Sequence, residues 1–307
     1  MSRITKTLLI FGCVILLLIL FSVAQFFMKH PHTLRIGSKN FTEQIILGEI
    51  LAQCIENRLN IPVDRKFNLG GTFICFHALK AGELDLYIEY TGTGLTSILN
   101  KKAVSNPDKV YKIVKDEFKK KWNLIWLTPL GFNNTYTVTM RRTHAKDLGI
   151  TKISDLEQYT QTLLPGFNHE FLERPDGYPG LKEHYGFQFE EEPLEMDTGL
   201  MYKAIADKKV DIICGFSTDG RIPAFDLITL EDDKNFFPPY WPVPLIRGEI
   251  AKNEPELITL IHKLSDRISN TEMAQMNYLV DEKGESPAYV AQSFLESEGL
   301  IAHTKPY

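Results

Sequence analysis

Two stretches of this chain share one order of parts. FHALKAGELDLYIEYTGT (76–93) passes from a helix pattern through an acidic turn into a strand, an aromatic residue and a small polar loop. TGLMYKAIADKK, followed by VDIICGF and STDG (198–220), does the same. A unit that feeds a one-face helix into a buried strand needs a sheet to receive the strand and a layer to cover it. Two such units, far apart in the chain, predict two similar lobes. Each offers an aromatic ring at a strand end, Tyr90 in one and Phe216 in the other.

The surrounding pattern agrees. TLRIG (33–37) reads as a strand, and FTEQIILGEILAQCIENRL (41–59) as a helix with one broad apolar face. VDRKF is a second strand, GTFICFHALKAG a helix ended by Gly82, and DLYIEY a third strand. Strand–helix alternation predicts an α/β architecture whose ligands sit beyond the carboxyl ends of strands, where Tyr90 and Thr93 lie. NPDKVYKIVKDEFKKKW predicts an amphipathic helix with Pro107 near its start, and NTYTVTMRR (134–142) alternates like a strand. EDDKNFFPPYWPVPLIR (231–247), rich in proline and aromatics, reads as a crossover rather than a helix, and three helix patterns follow it. With 307 residues the chain can hold two separate cores.

Residues 1–32 are set apart as an N-terminal segment. Leu8 to Phe27 carries no charge and follows Arg3 and Lys6. Such a run is long enough to span a bilayer. It reads as an uncleaved anchor, as a secretory signal cut near Ser22-Val23-Ala24, or as a lipoprotein leader around Cys13 with a bulky Phe11 in its box. All three place residues 33–307 outside the cytoplasm, tethered by 8–27 or released.

Several function classes lack support. The net charge of −5 gives no basic footprint for nucleic acid. Of four cysteines, Cys54, Cys75 and Cys214 lie outside the leader, and an odd number cannot all pair internally. They read as small buried hydrophobes, and no Cys/His spacing suggests a metal. No cofactor motif is present: NLGGT and YTGTG match neither dinucleotide nor P-loop patterns, though anion capture at a following helix start stays open. His77 and His169 stand alone, Ser217-Thr218-Asp219 reads as an exposed polar loop, and Asp85, Glu89, Glu190, Glu191, Glu192 and Glu195 read as scattered solvated or capping carboxylates. No catalytic constellation emerges, so the chain is not read as an enzyme.

Tyr90, Tyr136, Phe216 and Tyr240 sit at turns beside small or polar residues. Singly, each reads as a packing ring. Together they suggest a cage for a quaternary ammonium ion, which has no N–H to donate but is attracted to aromatic faces by about 0.5–2 kcal/mol per ring. Four rings would supply roughly 2–8 kcal/mol, which brings micromolar binding within reach.

Long blocks then carry a resemblance: RIGSKNFTEQIILGEILAQ, RKFNLGGTFICFHALKAGELDLYIEYTGTGL, GFNNTYTVTMR, FNHEFLERPDGYPGLKEHYGF, GFSTDGRI and LEDDKNFFPPYWPVPLIR. In order over about residues 33–300, the chain resembles the substrate-binding proteins of osmoprotectant ABC transporters, which take up glycine betaine, carnitine and choline. The resemblance implies a type II periplasmic-binding fold, two hinge-linked lobes each with a mixed sheet flanked by helices. It implies lobe 1 at 33–137 and 236–307 and lobe 2 at 138–235, with crossings at NTYTV and KNFFPPY. It matches Tyr90, Tyr136 and Tyr240 to cage tyrosines. Thr93, Asn134 and Ser38 match positions that contact the ligand's polar end or shape the pocket. Phe216 departs from the family pattern, where tyrosine is common, keeping the π face and losing the hydroxyl; Ile88 replaces a common proline. An ABC permease and its ATPase subunit are the implied partners. A rival reading is a same-fold sensor or binding domain for an amino acid, with Arg221 facing the cleft to hold its carboxylate; the bland role for Arg221 is a surface or lobe–lobe ion pair.

Overall fold

The computed structural model describes residues 33–302. The segment 8–27, with its anchor, signal and lipoprotein readings, lies outside the described residues. Within them no helix is long and apolar enough to cross a membrane.

Ten strands occur in chain order: β1 (Leu34–Gly37), β2 (Val63–Lys66), β3 (Leu86–Tyr90), β4 (Leu124–Trp126), β5 (Tyr136–Arg141), β6 (Pro165–Phe167), β7 (Leu194–Glu195), β8 (Ile212–Phe216), β9 (Leu227–Thr229) and β10 (Pro242–Arg247). They form two five-stranded sheets, ordered β2-β1-β3-β10-β4 and β7-β6-β8-β5-β9. In the first, β1, β2 and β3 are parallel, and β10 runs antiparallel between β3 and β4. In the second, β6, β7 and β8 are parallel, and β5 runs antiparallel between β8 and β9. The two layouts are therefore the same. The chain leaves the first sheet after β4 and enters the second on β5; it leaves after β9 and returns on β10.

The paired units seen in the sequence are equivalent in the fold. Thr72–Tyr90 and Thr198–Phe216 align without a gap, each a helix followed by the third parallel strand of its sheet. At one matched position both chains turn with positive φ, Gly82 at 77° and Lys208 at 59°. At another, both carry an aspartate gripped by arginine, Arg35–Asp85 and Arg141–Asp211. Tyr90 and Phe216 close the two units.

The core follows strand alternation. Leu86 and Ile88 of β3 face one side, against the helix Thr42–Leu59, while Tyr87 faces the other with Phe76, Phe118 and Trp126. Tyr90, at the end of β3 in the first sheet, and Tyr240, just before β10, pack with the apolar cluster around the second sheet. The wall between the lobes is thus aromatic.

The crossover expected over residues 231–247 carries the chain from the second sheet back to the first and ends in the strand β10, Pro242–Arg247, central in its sheet. Proline is tolerated there because the carbonyls of Pro242 and Pro244 point to the side where β4 has ended, accepting from Leu130 N (3.1 Å) and Leu127 N (3.0 Å), so no proline N–H is needed. The structure corrects two expectations. The Ser217-Thr218-Asp219 loop is not exposed: Thr218 is wholly buried and Asp219 nearly so. Asp85 and Glu89 are likewise buried and paired with arginine or lysine, not solvated. The short strands β4, β6, β7 and β9 escaped sequence reading, being too brief to show a period of two. Cys54, Cys75 and Cys214 are buried free thiols, and burial pushes the Cys54 thiol up to about 11.

Candidate ligand-binding cleft

A partly open cavity lies between the lobes. Six of the sequence-chosen residues line it: Tyr90, Thr93, Asn134, Tyr136, Phe216 and Tyr240. Tyr90 and Phe216 arrive as the last residues of β3 and β8, and Tyr136 as the first of β5, directly opposite Phe216 in the ladder. The rings of Tyr136 and Phe216 lie 5.2 Å apart at 31°, and Tyr240 meets Tyr136 edge-on at 5.9 Å and 88°. Ser38 does not line the cavity. Its hydroxyl accepts from Asn68 N (2.9 Å) and donates to the Lys39 carbonyl (3.0 Å), which shapes the turn that presents Lys39.

The glycines at the cleft floor act by space, not by turning. Gly92 and Gly94 both lie outside the positive-φ region. A Cβ on Gly92 would sit 2.6 Å from the Tyr240 ring, and one on Gly94 would sit 2.7 Å from Trp126. Gly92 thus lets Tyr240, and Gly94 lets Trp126, settle against the backbone.

Sequence reasoning missed the charged side of the cavity, and one ring. Phe41 lines the cleft and stacks on Phe216 (5.6 Å, 3°) and on Tyr90 (6.3 Å, 24°). Lys39 is buried; its ammonium pairs with Glu89 (2.6 Å), donates to Thr72 Oγ1 (3.1 Å) and lies 5.2 Å from the centroid of the Tyr90 ring. Arg174 is buried too. It grips Asp176 with Nε (2.9 Å) and Nη2 (2.6 Å), donates to Thr93 Oγ1 (3.0 Å) and lies 5.3 Å from the centroid of the Tyr136 ring. Burial alone would raise Asp176, but the Arg174 guanidinium, with the Tyr240 hydroxyl, holds its carboxyl below the usual range. The Tyr240 phenol is pushed well up by burial and by the Asp176 anion, so it stays protonated and donates to Asp176. Lys39 and Phe41 follow the end of β1, and the strand-end rule applied to TLRIG would have found them. Arg174 follows the three-residue β6, for which no such signal was legible.

Asn134 completes the lining. Its amide nitrogen donates to Glu43 (2.9 Å), while its carbonyl oxygen is buried without a partner. Glu170 closes the cleft across the lobes, accepting from Thr72 N (3.2 Å). Arg221 is elsewhere. It is held by Asp219 (2.7 Å) and Asp281 (3.3 Å) and stacks on Tyr202 at 4.2 Å, so it is a lobe–lobe ion pair and does not line this cavity.

The cleft is thus lined by five aromatic rings, with the buried, carboxylate-paired Lys39 and Arg174 packed against two of them. Residues 32–297 match the family model described as the substrate binding domain of the ABC-type glycine betaine transport system. The chain belongs to this family. It is 37% identical over 271 residues to the carnitine transport binding protein OpuCC of Listeria monocytogenes, covering 88% of each chain. It is 36% identical to the glycine-betaine-binding protein of Pseudomonas aeruginosa, covering 89% of this chain and 90% of that one. A permease/binding protein for ergothioneine from Helicobacter pylori is 38% identical over 266 residues, and this chain spans 47% of its length. Among solved structures, one titled glycine betaine/carnitine/choline ABC transporter superposes with a TM-score of 0.73 at 36% identity, over 87% of this chain and 99% of that one. Family and fold together make this chain a substrate-binding component of ABC transport with the two-lobed type II architecture.

Proposed function

We propose that the chain is the extracytoplasmic binding component of an importer for quaternary amines such as glycine betaine, carnitine or choline, handing its ligand to a membrane permease driven by an ATPase subunit. The observation that carries this reading is the convergence of five aromatic rings on one cavity. Tyr90, Tyr136, Phe216, Tyr240 and Phe41 offer faces to the ammonium group. The Thr93 hydroxyl, which accepts from Arg174, keeps its own O–H to donate to a carboxylate. The free carbonyl of Asn134 suits an ammonium or a hydroxyl and opposes a carboxylate. The lobe limits 33–137, 138–235 and 236–307, and tethering by residues 8–27, belong to the same proposal. Sheet membership supports the 235/236 limit, and the start of β5 of the second sheet at Tyr136 favours a first crossing two residues before 137/138. An amino-acid ligand led by Arg221 is not favoured, since that guanidinium is committed to Asp219 and Asp281.

The test is thermal unfolding with glycine betaine, carnitine, choline and an ordinary amino acid. A ligand at about a hundred times its dissociation constant adds about 2.7 kcal/mol of stability. A clear upward shift with at least one quaternary amine is expected. No shift with any of them at tens of millimolar rejects the proposal.

A further inference from the structure

Behind the cage lies a charge that its neighbours leave unbalanced. Glu43, in the first turn of the helix Thr42–Leu59, is buried. Its Oε1 accepts from Tyr90 Oη (2.6 Å) and Asn134 Nδ2 (2.9 Å), and its Oε2 from Thr218 Oγ1 (2.5 Å) and Asn277 Nδ2 (3.3 Å). Burial pushes the Glu43 carboxyl up, and the hydrogen bonds from Thr218, Tyr90, Asn134 and Asn277 oppose that rise by favouring the ionised form. All four donors are neutral. They solvate the charge and do not cancel it. A buried carboxylate ordinarily has a cationic partner. Here Lys39 is paired with Glu89, Arg174 with Asp176, and Arg221 with Asp219 and Asp281; no ion pair among the described residues reaches Glu43.

Two of those donors, Tyr90 and Asn134, also line the ligand cavity. A phenol that donates to a carboxylate is polarised, and its ring face becomes more negative. We propose that Glu43 is a specificity-determining residue: its uncompensated charge, one phenol behind the cage, selects a ligand with a cationic head group over one of the same shape whose head group is uncharged, and the ligand's ammonium is the missing counter-charge. This rests on the quaternary-amine reading above. Lys39 does not fill the role, although it lies near the Tyr90 face, because Glu89 already holds it at 2.6 Å.

The experiment compares glycine betaine with tert-butylacetate, which keeps the shape and the carboxylate but has a quaternary carbon in place of nitrogen. Calorimetry on the wild type and on Glu43→Gln measures both. The substitution is expected to weaken glycine betaine by about tenfold or more while leaving tert-butylacetate unchanged or tighter. Equal losses on both ligands mean that Glu43 merely holds Tyr90 in place, and no loss on either means that its charge is irrelevant. Either result overturns this proposal and leaves the quaternary-amine reading standing. A wild type that binds no quaternary amine rejects that reading and this proposal with it. If Glu43→Gln does not fold, Asn277→Lys keeps the glutamate and gives it a cation. The same selective loss of glycine betaine is then expected, and its absence is again decisive.

Discussion

Phe41 and Phe216 come from different lobes, yet their rings lie parallel, 5.6 Å between centroids and 3° between planes. Both also face the cavity. The pair therefore joins lobe contact to ligand contact, because separating the lobes parts the rings and opens the cage together. Phe41→Ala is expected to lower quaternary-amine affinity by about 0.5–2 kcal/mol, the usual worth of one ring to a cation. Calorimetry checks it, and an affinity equal to wild type would assign Phe41 to lobe packing alone.

The Arg174–Asp176 pair is buried on both sides. Removing one member strands the other's charge, which costs about 3–5 kcal/mol. Arg174→Ala should therefore unfold at markedly lower urea. Adding Asp176→Asn should restore much of the loss by removing the stranded carboxylate. A double variant no more stable than the single one would contradict the assignment of the cost to that charge.

The same pair sets a pH dependence. The folded-state pKa of Asp176 is lowered, so its contribution is fully present above the unfolded carboxylate value of about 3.9 and is lost as pH falls from there through the folded value. Wild-type stability should fall on acidification in that window. In Asp176→Asn this component should be missing, leaving a shallower acid limb. Urea midpoints measured from neutral pH down into that window decide between the two slopes.

Gly92 is held to glycine by the Tyr240 ring at 2.6 Å and the Pro239 carbonyl at 2.9 Å from where a Cβ would stand. Gly92→Ala should displace Tyr240, costing about 1–3 kcal/mol as overpacking does, and should weaken ligand binding. Gly149, where a Cβ meets nothing within 4 Å but φ is +70°, is the control: Gly149→Ala should lower stability through backbone strain and leave affinity unchanged. Thermal unfolding with and without ligand separates the two effects.

Much of the architecture was legible in the chain because it rests on local chemistry. The helix Thr42–Leu59, the helix ended by Gly82 and the strand Leu86–Tyr90 follow from apolar spacing and a left-handed stop. The matched units predicted two like lobes for the same reason. The four rings were visible because each stops at a strand end or crossing beside small residues. What remained hidden depends on partners far along the chain. Lys39 is an ordinary lysine until Glu89 reaches it, and Glu43 an ordinary helix-start acid until Tyr90, Asn134, Thr218 and Asn277 converge on it. The prolines at 242 and 244 hid the strand Pro242–Arg247, because sequence does not show where a neighbouring strand ends. Periodicity and turn chemistry, acting over a few residues, decided the elements of this protein. Burial and charge pairing act only once distant segments meet, so the tertiary structure alone decided which polar groups face the cleft and which charge was left without a partner.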